Sequence, residues 1–365
     1  MSDRAHIQSL ALPPGRRVLV MSDIHGNLPY FEGLLAQVGF SDRDFLILDG
    51  DLLEKGMQSL ALLRRVMTMS RKGNVFSVCG NCDGWARIFD HSRDAEDRHF
   101  LAYVQYKQSG LIWEMCRELG VDPLAVADFT PLKWRLFDAF PEEIAFLAAL
   151  PDAIESEHYV FAHAGMTPGK PLREHRREEL NRIDRFLDRD MRFDKWLIVG
   201  HYPVVLYGED TVCANPIVDR NKRVVSIDGG CVLKDDGQLN ALILPERPEG
   251  EFRFEAYDPF PERTVLRDQA EGLRSYYIRW GDCTVRVLAR GAEFSRCRHV
   301  RTGYEMDILT KYLFADRVIT DCSDCTDYIL PLKVGDRVRV VEETSRGYFV
   351  KHHGTSGWYF GELGD

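Results

Sequence analysis

Residues 17–26 read RVLVMSDIHG and contain the first strand signal of the chain. The first half of this stretch is a short apolar run rich in valine and leucine, which predicts a buried strand. The run stops abruptly at Asp23 and His25, two side chains that can bind a metal. Ligands collect beyond the carboxyl ends of strands in open α/β sheets, so the stretch predicts a site at a strand end.

The same pattern recurs along the next 220 residues. Helical spacing separates the runs, most clearly over 30–39, over 59–69 and from Pro141 onward, where a proline and two glutamates open the segment. Alternating strands and helices predict an α/β domain. The further apolar runs cover residues 45–51, 74–81, 158–165, 196–201, 223–230 and 241–244.

The composition of the chain changes after residue 245. Residues 1–245 are predicted to form one domain, with a helical insertion at 84–140, and the proline-rich stretch 246–275 is expected to be a linker. Residues 276–365 predict a β-rich region. Within it, residues 328–363 resemble a small SH3-type barrel, which implies contact with a peptide or with the chain itself.

Composition and charge narrow the classes of function. A net charge of -10 argues against broad nucleic-acid binding. No run of about 18 apolar residues is present, so no membrane association is expected. The nine cysteines are odd in number and scattered, and the first residues contain no secretion signal; both features favour a cytoplasmic protein with reduced thiols.

Five successive strand ends each supply an oxygen or imidazole ligand. Taken singly, each of these residues fits a turn or a core position equally well; taken together, they predict a metal site. Carboxylate, amide and imidazole ligands without thiolate suit manganese, iron or zinc. The candidate ligands are Asp23, His25, Asp51, Asn81, His163 and His201.

The order of the motifs SDIHG, GDLLEKG, GNCD, HAG and GHYPV resembles the metallophosphoesterase superfamily. The likeness is greatest to the phosphoprotein phosphatase branch, which includes bacterial protein phosphatases and diadenosine tetraphosphatases. It covers residues 17–244 and implies an α/β/β/α sandwich with two divalent ions, with manganese as the expected metal. The implied reaction is attack of a metal-activated hydroxide on a phosphomonoester or nucleotide, of the phosphoprotein or dinucleoside polyphosphate type.

The resemblance also implies a role for each ligand. Asp23, His25 and Asp51 would hold the first ion. Asp51 would bridge to the second ion, which Asn81, His163 and His201 would complete.

The chain departs from the family pattern where proton donation and phosphate binding are expected. Glu54 and Lys55 replace an aspartate–arginine pair, and Cys82 replaces a histidine that donates a proton to the leaving group. The predicted catalytic residues are therefore Asp51, Cys82 and Glu54. Lys55 and Arg189, preferred over Arg192, are predicted to bind the substrate phosphate.

Two other functions stay open at this point. Small bacterial phosphodiesterases of the same superfamily also carry GNCD, which favours a diester substrate. A metal-bound binding or scaffold protein with weakened catalysis is the second alternative, because the usual histidine and arginine are both absent.

Overall fold

The computed structural model describes residues 4–89 and 95–365. Contacts divide these residues into two compact units. One unit contains the described residues up to 203 together with 216–233 and 237–258; the other contains 204–215, 234–236 and 259–365.

Seven α-helices lie in the described part of the chain, all in the first unit. They are α1 (Leu28–Gln37), α2 (Ser59–Ser70), α3 (Asp97–Lys107), α4 (Leu111–Glu118), α5 (Phe129–Ala139), α6 (Pro141–Ala149) and α7 (Glu178–Asn181).

The strands of the first unit, with β8 of the second placed in chain order, alternate with these helices. They are β1 (Ile7–Ser9), β2 (Val18–Met21), β3 (Phe45–Asp49), β4 (Val75–Val78), β5 (Ala153–Glu155), β6 (Tyr159–Phe161), β7 (Trp196–Val199), β8 (Val212–Cys213), β9 (Ile217–Asp219), β10 (Val224–Ser226), β11 (Leu239–Ile243) and β12 (Arg253–Tyr257).

The remaining strands belong to the second unit. They are β13 (Glu262–Val265), β14 (Tyr277–Ile278), β15 (Thr284–Ala289), β16 (Phe294–His299), β17 (Glu305–Leu309), β18 (Ile319–Asp321), β19 (Cys325–Thr326), β20 (Arg337–Thr344), β21 (Gly347–His352), β22 (Thr355–Tyr359) and β23 (Leu363–Gly364).

Two sheets form the centre of the first unit. One has the order β12-β11-β2-β3-β4, in which β2, β3 and β4 are parallel. The other has the order β1-β5-β6-β7-β10-β9, in which β6, β7 and β10 are parallel. The α/β prediction is therefore confirmed, and every predicted apolar run of this unit contains a strand.

Alternation along the strands builds two hydrophobic layers. On β2, Leu19 and Met21 pack with helices α1 and α2, whereas Val18 and Val20 pack into a core with Ile198 of the second sheet. Successive strand side chains point to opposite faces, so a strand buried on both faces is apolar at every position. This arrangement explains why the apolar runs in the sequence are continuous and do not alternate with polar residues.

The stretch that precedes α1 positions the helix beside the first strand end. Asn27 is the N-cap residue, and its side chain accepts a 3.4 Å hydrogen bond from the backbone nitrogen of Tyr30. Pro29 lies in the first turn, where a missing N–H costs nothing. The helix therefore begins directly after SDIHG and leaves Asp23 and His25 at its start.

The predicted insertion at 84–140 is mainly helical where it is described. A 3-10 helix covers Gly84–Phe89, and α3, α4 and α5 follow. A buried ion pair joins α3 to α5, since Lys133 Nζ donates a 2.8 Å hydrogen bond to Asp97. Such a pair is costly to break and fixes the register of the two helices.

The stretch 246–275, which is predicted to be a linker, contains two paired strands. β12 pairs antiparallel with β11, and β13 pairs with β20 and β23. β12 is an edge strand with exposed charged residues, a common protection of sheet edges, and this composition resembles that of a loop.

The second unit is β-rich, as predicted. Its larger sheet has the order β23-β13-β20-β21-β22-β8, and a four-stranded sheet has the order β17-β16-β15-β18. Val265, Val338, Val350 and Tyr359 fill a small core under the larger sheet. The SH3-type barrel at 328–363 stays a prediction. Across residues 4–89 and 95–365, no helix combines the length and apolar composition needed to span a bilayer.

Candidate active site

The six predicted ligands all follow carboxyl ends of parallel strands, and they come from both sheets of the first unit. Because these ends lie at one edge of the sandwich, the side chains converge. Asp23 and His25 follow β2, Asp51 follows β3, Asn81 follows β4, His163 follows β6 and His201 follows β7.

Four of these ligands have a backbone conformation that is rare outside glycine. Their φ angles are 54° at Asp23, 53° at His25, 50° at Asp51 and 66° at His201. Positive φ costs free energy in residues with a Cβ atom, and such residues cluster at functional sites. The turns after the strands therefore direct side chains toward one point at the expense of local stability.

Glycines in two of the motifs make room for the ligands. A Cβ atom at Gly80 would lie 2.2 Å from Asp51 Oδ1, and one at Gly200 would lie 2.2 Å from Asp23 Oδ2. Both distances are impossible for real atoms, so the motif glycines are required by the close approach of the carboxylates.

The three histidines are each held by a hydrogen bond on one ring nitrogen. His25 Nδ1 lies 3.2 Å from the carbonyl oxygen of Leu53, and His163 Nδ1 lies 2.8 Å from that of Asp49. A carbonyl oxygen only accepts, so Nδ1 donates in both rings and Nε2 is the nitrogen available to a metal.

His201 presents the opposite nitrogen. Its Nε2 lies 3.1 Å from a carboxylate oxygen of Asp184, which leaves Nδ1 as the free nitrogen. The Asn81 amide lies beside this atom; with its nitrogen inward it donates a 2.7 Å hydrogen bond to Nδ1. With its oxygen inward, two acceptors face each other as two ligands of one cation do.

The two oxygens of Asp51 face different histidines. Oδ1 lies 3.3 Å from His163 Nε2, and Oδ2 lies 3.9 Å from His25 Nε2. His25 Nε2 is also 3.8 Å from Asp23 Oδ1. Two ligands of one ion lie roughly 3–4 Å apart, because metal–ligand bonds are about 2.0–2.2 Å long. The spacing therefore suits a cation on each side of Asp51.

One buried acceptor in this cluster lacks a donor. Asp23 Oδ1 forms no hydrogen bond with any described residue, although Asp23 is 1% exposed. Burial and the neighbouring Asp228 raise the pKa of Asp23 well above its usual range. A bound cation would compensate this buried carboxylate, so the donor set fits a metal.

The pKa shifts of the histidines in the metal-free cluster also favour a cation site. Burial lowers the pKa of His163, but Asp51 and Asp23 outweigh burial and raise it well above its ordinary value. Burial lowers the pKa of His25, and burial together with His163 lowers the pKa of His201 to about 4. The raised pKa of His163 thus reflects the negative charge that its neighbouring carboxylates concentrate where a cation would bind.

Cys82 lies at the cluster through both its backbone and its thiol. Its backbone nitrogen donates a 2.8 Å hydrogen bond to Asp51 Oδ1, and its sulfur, His25 and Asp51 present ligand atoms within 4.8 Å of one another. Burial and the charge of Asp51 raise the pKa of the Cys82 thiol well above its usual value. The metal-free site therefore keeps this thiol protonated.

Glu54 is turned toward the helical insertion. Its carboxylate accepts a 2.9 Å hydrogen bond from the backbone nitrogen of Leu111 and a 3.3 Å bond from the hydroxyl of Tyr103. Burial raises its pKa. With both oxygens engaged in this way, Glu54 positions the insertion. Lys55 is exposed and forms no ion pair with the residues that the structure describes.

Arg189 follows the short 3-10 helix Phe186–Asp188 and is exposed. Within residues 4–89 and 95–365, its side chain forms no hydrogen bond or ion pair. Arg185 instead interacts with Tyr202, the residue after the ligand His201. No sequence pattern singled out Arg185, because it lies in a charged run that is typical of a solvated surface.

Asp83 is a buried residue beside the candidate ligands that the sequence reasoning did not single out. It is fully buried, and its two oxygens accept hydrogen bonds from Leu53 N (3.1 Å) and Gly80 N (2.9 Å). It therefore joins the loop after β3 to the loop after β4. The motif GNCD contained the signal, but only its Asn and Cys were interpreted.

Asp83→Ala is expected to lower the free energy of unfolding by about 2–6 kcal/mol, because each buried donor left unsatisfied costs about 1–3 kcal/mol. Metal affinity should fall about 10–100-fold, as for other residues that orient ligands. Thermal denaturation and metal titration would measure both effects. Asp138→Ala on α5, an exposed position, is the control; equal behaviour of the two variants would contradict the role of Asp83.

The sequence of this chain matches the model of a known family. The family described as calcineurin-like phosphoesterase matches residues 16–228, which is more than half of the chain. The chain belongs to this family and is a metal-dependent phosphoesterase. A search of curated proteins gives no significant match.

Several solved structures are similar to this chain. A "putative diadenosine tetraphosphatase" is 21% identical over 70% of this chain and 99% of its own, with a TM-score of 0.43. A protein serine/threonine phosphatase from Saccharomyces cerevisiae, described as similar to human phosphatase PP5, is 12% identical over 70% and 84%, with a TM-score of 0.43. A metallophosphoesterase from Sphaerobacter thermophilus is 19% identical over 66% and 88%, with a TM-score of 0.36.

Proposed function

We propose that the protein is a two-metal phosphohydrolase acting on a phosphomonoester or nucleotide, of the phosphoprotein or dinucleoside polyphosphate type. The observation that carries this proposal is the arrangement around Asp51. Its two oxygens face the free nitrogens of His163 and His25 at 3.3 and 3.9 Å, which is the arrangement that a bridging ligand requires.

The ligands divide into two sets around this bridge. Asp23 and His25 complete the first set with Asp51, and Asn81, His163 and His201 complete the second. When bound, two divalent ions, with manganese as the expected metal and iron or zinc as alternatives, would polarise the phosphoryl group and supply the hydroxide that attacks phosphorus.

The residues of the chain then position substrate and proton. Lys55 would offer a single positive charge to a phosphate oxygen, which gives less orientation than the fork of an arginine. Arg189 is the other predicted phosphate ligand. Arg185, which pairs with Asp188 and also interacts with Tyr202 beside His201, is an alternative for this role. Cys82 carries a proton beside Asp51 and is the candidate donor to the leaving oxygen.

A phosphodiester is the second candidate substrate, and Cys82 favours it. A thiol is a weak hydrogen-bond donor, so it supports departure of a poor leaving group less than a histidine does. A diester or another substrate with a good leaving group depends less on that proton. A scaffold role with weak catalysis is the remaining outcome of the substrate test.

Manganese-loaded protein is expected to hydrolyse p-nitrophenyl phosphate, and metal-free protein is expected to be inactive until manganese is restored. The physical reason is that the bound ions would supply the attacking hydroxide. The measurement is initial rate against metal content, with bis-p-nitrophenyl phosphate, phosphoserine peptide and dinucleoside tetraphosphate as parallel substrates.

Each outcome of these substrate assays favours one of the three candidate functions. Faster turnover of the bis ester supports the phosphodiester alternative, and faster turnover of the peptide or dinucleotide supports the main proposal. Stoichiometric metal binding with no turnover of any substrate would leave the scaffold role and refute hydrolysis.

A further inference from the structure

The loop that carries Lys55 is backbone-strained. Glu54 and Lys55 are consecutive residues with φ angles of 69° and 67°, although neither is a glycine. Two such residues in a row persist only where the surroundings enforce the conformation. The hydrogen bonds on both sides of Lys55 show what enforces it.

The first restraint reaches from the loop to the insertion. Glu54 accepts a hydrogen bond from Leu111 N, the first residue of α4, at 2.9 Å. Its carboxylate thus lies at a helix N-terminus, where a negative charge is favourable. A Cβ atom at Gly110 would lie 2.4 Å from a Glu54 oxygen, so the glycine permits this approach.

The second restraint returns from the insertion to the start of α2. Glu114, one turn into α4, accepts hydrogen bonds from Ser59 N (2.9 Å) and Leu60 N (2.8 Å). Ser59 in turn accepts a 3.0 Å hydrogen bond at its hydroxyl oxygen from Glu54 N. The hydrogen bonds therefore form a closed set that begins and ends at Glu54.

These contacts form a closed set that we call the carboxylate ring, made of Glu54, Leu111, Glu114 and Ser59. In it, the carboxylate of Glu54, in the loop after β3, binds the N-terminus of α4. The carboxylate of Glu114, in α4, binds the N-terminus of α2. Lys55 lies directly after one member of the ring, in the four-residue loop between Glu54 and Ser59.

We propose that the carboxylate ring makes the helical insertion a positioning element for phosphate binding, with Glu114 acting on substrate through Lys55. The proposal rests on the phosphate-binding role of Lys55 in the proposed function. The hydrogen bonds of Glu114 go to Ser59 N and Leu60 N, neither of which belongs to a predicted metal ligand or to Lys55, so we expect an effect of Glu114 on phosphate to pass through the ring.

A double-mutant cycle with manganese-loaded full-length protein tests the proposal, with inorganic phosphate as the competitive inhibitor of p-nitrophenyl phosphate hydrolysis. Lys55→Met is expected to raise the inhibition constant of phosphate about 10–100-fold, the range for loss of a hydrogen bond to a charged group. Glu114→Ala is expected to raise it about tenfold. In the Lys55→Met background, Glu114→Ala should add nothing, since the group through which it acts is absent.

Glu118→Ala is the matched control, because Glu118 lies one turn further along α4 and also binds α2, through Arg64 at 2.8 Å. It should leave the inhibition constant and the manganese affinity unchanged. Glu114→Gln, which keeps the shape of the side chain, replaces Glu114→Ala if the alanine variant fails to fold.

The possible outcomes separate the two proposals. An equal effect of Glu114→Ala with and without Lys55, or a fall in manganese affinity that accounts for it, overturns the role of the ring in phosphate binding. No effect of Lys55→Met overturns the phosphate-binding part of the proposed function instead.

Discussion

Asp51→Asn is expected to abolish hydrolysis, with a loss of at least about a thousandfold, the upper range for removal of a single transition-state stabiliser. Asp51 is the residue whose two oxygens face both sets of ligands. An amide offers only one oxygen and no charge, so it cannot bridge two cations. Bound metal per protein should fall from two ions to one or none, and elemental analysis after gel filtration would count them.

The control for this substitution is Asp138→Asn, which changes the same group at an exposed position on α5. It should retain both ions and full activity. Asp51→Asn protein that keeps two ions, or that retains more than a tenth of the wild-type rate, would contradict the bridging role.

The fold of the first unit could be predicted largely because its strands are buried on both faces. Leu19 packs toward the helices and Val20 toward the other sheet. Every position of β2 is therefore apolar, and its sequence indicates a buried strand. Short strands outside these apolar runs, and exposed strands, gave no such signal. β1 and β5 have three residues each, and β12 is mostly exposed at a sheet edge. Their pairing depends on partners that are distant in the chain.

The residues of the candidate site also differ in whether the sequence predicts them. The candidate ligands follow strand ends, so strand position and residue type together predicted Asp23 and His163. Residues that act by reaching across to another segment have no local pattern. Asp83 binds the loop after β3, Asp184 binds His201, and Glu114 binds the start of α2. These contacts become visible only when the chain is folded.

Cys82→His tests the departure that most affects the chemistry. The backbone nitrogen of residue 82 would keep its bond to Asp51 Oδ1, so the loop is expected to retain its conformation. An imidazole has a pKa near neutrality and donates a proton more effectively than a thiol. We expect the variant to hydrolyse a phosphomonoester with a poor leaving group, such as glycerol 2-phosphate, about a hundredfold faster, at the lower end of general acid catalysis.

The dependence on the leaving group distinguishes proton donation from a general improvement of the site. The gain should be small for p-nitrophenyl phosphate, because nitrophenolate departs without a proton, and Cys82→Ser should show no comparable gain on either substrate. An equal gain on both would point to altered metal binding rather than to a proton donor. Glu54 limits the expected gain, since its carboxylate is bound to Leu111 and Tyr103 and is not available to orient the new imidazole. If the wild-type enzyme already hydrolyses glycerol 2-phosphate as fast as p-nitrophenyl phosphate, proton donation is intact in the native site, and Cys82 itself serves as the donor.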